Sequence, residues 1–143
     1  MEHTYLFQPA HWRAEGVYHT KDGKTYPMTG GSTLSRTADT WTLTGFLEVL
    51  LTPPARFENT YTISLTENPA ELRWTSFNPA LGTLEGRFTV LPGIITSAYT
   101  AADGVHSGSE MMMQVSESEY KMQGVLNEDG DPQDWWEGRL VRE

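Results

Sequence analysis

The chain has no cysteine among its 143 residues. That excludes disulfides, zinc–thiolate sites and thiol nucleophiles together, and it fits a reducing compartment. No apolar run is long enough to cross a bilayer as a helix, and the opening stretch, with Glu2, lacks the apolar segment of a secretory signal. The expected location is the cytoplasm. Basic residues are few: ten Lys and Arg face nineteen Asp and Glu, for a formal net charge of −9. A phosphate backbone or an anionic lipid surface meets net repulsion from such a chain, so neither nucleic acid nor membrane is an expected partner. Histidine is sparse too, with His3, His11 and His19 near the start and His106 alone later, and no metal site is expected. There is no Gly-x-Ser-x-Gly elbow, and Glu128-Asp129-Gly130-Asp131 misses the spacing of a calcium loop and reads as a hairpin turn.

Apolar residues at helical spacing are missing as well; what is present is alternation with period two, broken by turn residues. It predicts ten strands, at 12–19, 25–36, 40–51, 56–66, 71–77, 83–91, 94–100, 106–115, 119–127 and 133–142, after a short lead over 1–11 whose Tyr5, Leu6 and Phe7 cap one end. Asp22-Gly23, Pro92-Gly93 and Asp103-Gly104 supply the positive φ that tight turns need. Thr52-Pro53-Pro54 stops one strand, because proline has no N–H to give a ladder, and Asn78 to Gly82 forms another turn. Gly30-Gly31 reads as the bulge or sharp coil that closing a barrel requires rather than a phosphate cradle, since no helix pattern follows it.

Strands this short, joined by short turns, form an up-and-down meander, and closing it on itself hides the edge that Trp135, Trp136 and Leu140 would otherwise expose. The expected fold is all-β: one domain over residues 1–143, a single antiparallel up-and-down barrel of about 8–10 strands. A two-sheet sandwich is the alternative. The layout resembles the calycin superfamily of lipocalin, fatty-acid-binding-protein, avidin and nitrobindin-like barrels, through the early Trp12, the glycine-punctuated meander and the closing strand Trp135-Trp136-Glu137-Gly138-Arg139-Leu140-Val141-Arg142. It departs from lipocalins in having Ala10 two residues before that Trp. Trp74 to Pro79, Ser97-Ala98-Tyr99 and Gly108-Ser109-Glu110 are similar to small bacterial calycin-like proteins. The resemblance implies an Arg, here Arg139 or Arg142, stacked on Trp12. Nitrobindin-like barrels hold haem through a late histidine, whereas none follows His106, so no cofactor is expected.

Candidate chemistry centres on Glu110. It shares a strand face with His106, Gly108 and Met112, but His106 and Glu110 are about 13 Å apart at four residues' separation, too far to share a metal. If that face points inward, the carboxylate must pair with a base such as Arg73 or Arg87, or have a raised pKa. The alternative is a solvent-facing glutamate with Met111 and Met113 packed in the core. Three functions follow. The first is a barrel holding a small hydrophobic or amphipathic molecule, with Trp74, Ser76, Arg73, Arg87, Tyr99, His106, Glu110 and Met112 as ligand-binding residues. The second is an isomerase or lyase using Glu110 as acid or base, with Arg73 or Arg87 stabilising negative charge. The third is an interaction barrel with a filled interior, a homodimer through Phe46 and Phe77.

Overall fold

The structure is a computed structural model that describes residues 1–37, 40–79 and 81–143. The described residues form ten strands: β1 (Ala10–His19), β2 (Thr25–Arg36), β3 (Trp41–Val49), β4 (Ala55–Leu65), β5 (Glu71–Asn78), β6 (Gly82–Leu91), β7 (Ile94–Ala101), β8 (His106–Ser116), β9 (Glu119–Glu128) and β10 (Asp131–Arg142). Each pairs antiparallel with the next, and β10 pairs with β1 from Trp12↔Arg142 to His19↔Trp135, so the sheet closes into one barrel rather than splitting into a sandwich. Ala80 of the turn expected between Asn78 and Gly82 lies outside the described residues.

The alternation sorts side chains as the pleat requires. In β5, Leu72, Trp74, Ser76 and Asn78 are buried while Arg73, Thr75 and Phe77 are exposed. Phe46, on the outer face of β3, lies under the Arg56 guanidinium, 4.0 Å from its ring centroid, and Phe77 is 64% exposed.

Two sequence expectations about closure need correction. Strand β2 passes through Gly30 and Gly31 in unbroken register with both neighbours, so no bulge sits there. These glycines permit close packing instead: a Cβ on Gly30 would fall 2.4 Å from the Phe46 carbonyl oxygen. The register shifts occur elsewhere, between Pro132 and Asp134 in β10 and between Gln114 and Ser116 in β8. Nor does Arg139 or Arg142 stack on Trp12. Tyr5 and Tyr120 cover that indole edge-on, at 5.4 and 5.6 Å between centroids, while Arg142 reaches Gln8 and Arg139 pairs with Glu15.

The lead closes one end of the barrel. Its Leu6 is fully buried and Tyr5 nearly so, each a gain of about 1.5–3 kcal/mol by apolar burial. The Tyr120 hydroxyl fastens it, accepting the backbone N–H groups of Thr4 (3.1 Å) and Tyr5 (3.3 Å) and lying 2.9 Å from His3 Nδ1. His3 Nε2 donates to the Leu91 carbonyl at 2.7 Å. A neutral imidazole then accepts at Nδ1, so the one phenol hydroxyl is satisfied as donor and acceptor. Below this plug lie Leu34, Leu43, Ile63, Leu72 and Ile95, all buried.

Candidate functional site

Toward the other end the interior is hollow. Two adjoining chambers, of about 100 Å³ and 160 Å³, share Leu47, Asn59, Tyr61, Ser97 and Glu110 in their walls. The smaller faces the plug, with Tyr5, Met112 and Met122. The larger reaches the far end of the barrel and is walled by Tyr18, Trp74, Tyr99 and Trp136.

Space survives among so many large rings because three of them lie flat on glycine. Trp74 is the direct cross-strand partner of Gly86, Tyr99 of Gly108 and Trp136 of Gly124. A Cβ on these glycines would come within 2.4 Å of Trp74 Cζ2, 2.4 Å of the Tyr99 hydroxyl and 2.3 Å of Trp136 Cε2. No side chain but hydrogen leaves room for such contact. The rings therefore spread along the wall instead of projecting across the lumen. Tyr61 meets Trp74 edge-on at 4.7 Å, and Tyr18 stacks on Trp136 at 6.0 Å.

Glu110 stands at the junction of the chambers. Gly124, opposite it on β9, lets the Trp136 indole reach across, and Trp136 Nε1 donates to Glu110 Oε2 at 3.1 Å. The carboxyl has surface bordering the cavity yet is enclosed by protein, and burial raises its pKa against the opposing pull of the Trp136 hydrogen bond. The phenols around it respond in kind. Tyr99 is pushed up to about 12 by burial and then by the Glu110 charge, and Tyr5 and Tyr61 are raised by the same two causes in the same order. Each therefore keeps its proton and remains a hydrogen-bond donor. Two further polar groups in this half, Trp74 Nε1 and Ser76 Oγ, are buried without a partner.

The eight residues expected to bind a ligand separate into two sets. Glu110, Trp74, Ser76, Tyr99 and Met112 point into the barrel, with Met112 between Glu110 and the plug. Arg73 and Arg87 do not. They face each other across β5 and β6 on the outer surface, and Arg87 lies 3.9 Å from Glu71. Neither reaches Glu110, because the alternation that buries Trp74 and Gly86 sends both arginines outward. The lyase or isomerase scheme thereby loses the cations it invoked. His106 shares the strand face of Glu110 but belongs to the rim, where its Nδ1 lies 2.6 Å from Asp103 Oδ2. The packing alternative for β8 is overturned as well, since Met113 is 43% exposed while Glu110 turns inward.

Sequence reasoning missed Asn59, Ser97, Tyr5 and Gly124 as parts of the site. The signal for Gly124 was present: a glycine inside an otherwise alternating strand marks a place where another group comes close. Among the described residues no three His, Asp or Glu side chains gather as a metal site would require.

No protein-family model matches the chain, and no curated protein matches it by sequence. Solved structures do match in shape. The crystal structure of Rv2717c from M. tuberculosis superposes with a TM-score of 0.67 at 12% identity, covering 94% of this chain and 92% of that one. The S-type phycobiliprotein lyase CPES from Guillardia theta gives 0.69 at 7% identity, over 95% and 88%. At such identities the likeness carries the fold alone, and that fold is a closed antiparallel barrel.

Proposed function

We propose that this barrel binds one small, partly apolar molecule in its interior, against Trp74, Tyr61, Tyr99 and Met112, with Glu110 fixing its orientation. The observation that carries this reading is the hollow half itself, kept open by rings laid flat on Gly86, Gly108 and Gly124. A barrel selected only for stability would fill that volume, since about 24 cal/mol is forfeited per Å³ of empty space in protein cores. The unpartnered Nε1 of Trp74, a residue of the chamber wall, supports it, because a buried polar group left unpaired costs about 1–3 kcal/mol and a ligand can satisfy it.

Size limits the ligand. An apolar cavity of about 150 Å³ accommodates a benzene ring, so the larger chamber, at about 160 Å³, takes one ring with a short substituent.

The test is a thermal-shift and tryptophan-fluorescence titration with benzyl alcohol, 4-methylphenol and 2-phenylethanol. Saturation at 100 times Kd stabilises a protein by about 2.7 kcal/mol, so a rising Tm and a changed indole emission are expected for at least one of them. Unchanged melting and emission across neutral and charged single-ring compounds would leave the hollow half without a binding role.

A further inference from the structure

The cavity has a sign. Among the described residues lining the two chambers, Glu110 is the one acid, and Arg, Lys and His are absent. The groups that face it are Tyr5 from the lead, Tyr61 from β4, Tyr99 from β7 and Trp136 from β10, all uncharged, with the backbone of Gly124 beside it on β9. One indole N–H occupies Oε2, while a carboxylate offers about four acceptor positions.

An enclosed carboxylate with one neutral donor is stable either as the acid or opposite a cation. Aromatic faces around it favour the second state when a cation is supplied. Trp74, Tyr61, Tyr99 and Trp136 present the electron-rich rings that attract an ammonium group in a desolvated site, and a chain of net charge −9 draws cations toward it. One acid neutralises one positive charge.

We propose that the ligand is a small monocationic amine bearing a single ring, its ammonium on the free oxygen of Glu110 and its ring against Trp74 and Tyr99. This deepens the ligand-binding reading above and rests on it. Binding requires Glu110 ionised, so the cation displaces the proton that burial favours there.

Three probes share a ring and differ in the head group: 2-phenylethylamine, 2-phenylethanol and phenylacetate. Isothermal titration of the full chain at pH 8 should show the amine bound about tenfold or more tightly than the alcohol, as a charge-assisted hydrogen bond implies, with phenylacetate weakest. The preference should shrink as pH falls and Glu110 takes up a proton, and at those lower pH values titration in buffers of different ionisation enthalpy should report proton release on amine binding. Glu110→Gln, which keeps an acceptor for Trp136, should bring the amine and the alcohol to similar affinity, its fold checked by circular dichroism. If the alcohol equals the amine in the native protein, or the amine preference survives Glu110→Gln, the cation assignment is overturned while ligand binding stands. If none of the three binds and the neutral ring compounds above also fail, both readings fall.

Discussion

Trp136 lies across Gly124 at the place a β-carbon would occupy, and that contact is what carries its indole N–H to the carboxyl of Glu110. The pairing depends on the register shift between Pro132 and Asp134. Without the extra residue in β10, Trp135 would stand opposite Gly124 and turn inward in its place.

Gly124→Ala tests this arrangement. The added methyl meets Trp136 Cε2 at 2.3 Å, so the indole must lift off the wall into the lumen, and such overpacking costs about 1–3 kcal/mol. The expected outcome is a lower urea midpoint with a shifted tryptophan emission, and loss of ring-compound binding as the lumen fills. A variant with native emission and native stability would show that the glycine is not needed for the contact.

Glu110 makes stability fall with rising pH. Its folded pKa is raised above the unfolded value, so the folded state holds the proton longer. The stability tied to that proton is fully present below the unfolded pKa, about 4.3 for a glutamate, and is lost as pH rises through the folded pKa. Glu110→Gln removes the dependence. Urea melts between pH 4 and pH 8 should show the native protein losing stability relative to Glu110→Gln as pH increases; parallel curves would mean that the carboxyl is not desolvated.

Tyr120→Phe isolates the fastening of the plug. The ring still packs on Tyr5 and Trp12, but the Thr4 and Tyr5 N–H groups lose their acceptor. A buried donor left unpaired costs about 1–3 kcal/mol. Hydrogen exchange should accelerate at these two amides more than in β5 or β6, whereas a uniform change throughout the barrel would argue that the hydroxyl has no local task.

At the rim, Asp103 Oδ1 accepts the backbone N–H groups of Val105 (2.8 Å) and His106 (2.9 Å), and Oδ2 meets the His106 ring. These bonds hold Asp103 down at about 2, and Asp103 in turn raises His106. The His106 contribution is fully present below its unfolded pKa and is lost as pH rises through the raised folded value; the Asp103 contribution is present above its unfolded pKa and is lost as pH falls toward 2. Asp103→Ala should lower Tm more than His106→Ala, since it removes two turn hydrogen bonds besides the ion pair. Proton NMR should place the His106 midpoint above the ordinary histidine value of about 6.5 in the native protein and lower it in Asp103→Ala, where Glu128 and Asp129 still act on the ring.

The strands were legible in the residues because turn chemistry and period two agree. Gly23, Gly93 and Gly104 do adopt positive φ, and β5 ends within a residue of its expected limit. Which face of each strand turns inward was not legible; the structure buries Leu43, Trp74 and Phe88. Pairing Glu110 with Arg73 or Arg87 went against that same alternation, since a residue beside buried Trp74 must point out. Which of Trp135 and Trp136 enters the barrel was not legible. A single bulge decides it, and the one signal in Asp131-Pro132-Gln133-Asp134 is Pro132, which reads equally as part of the turn before the strand. Glu110 was ambiguous for a related reason, because Gly108 fits either face of β8 and Met111, Met112 and Met113 supply both.

The interior is divided along its axis. Near the lead, Trp12, Leu6 and Tyr120 are fully buried in a solid cluster of rings and aliphatic chains; toward the other rim the wall is ring-lined and empty. The wall of the larger chamber nevertheless belongs to the same buried cluster as the plug, through Trp74 and Leu84. Leu126 borders the larger chamber and not the one beneath the plug, so exchanging it for a residue of other size would reshape the open end of the interior while leaving the stopper's own contacts in place.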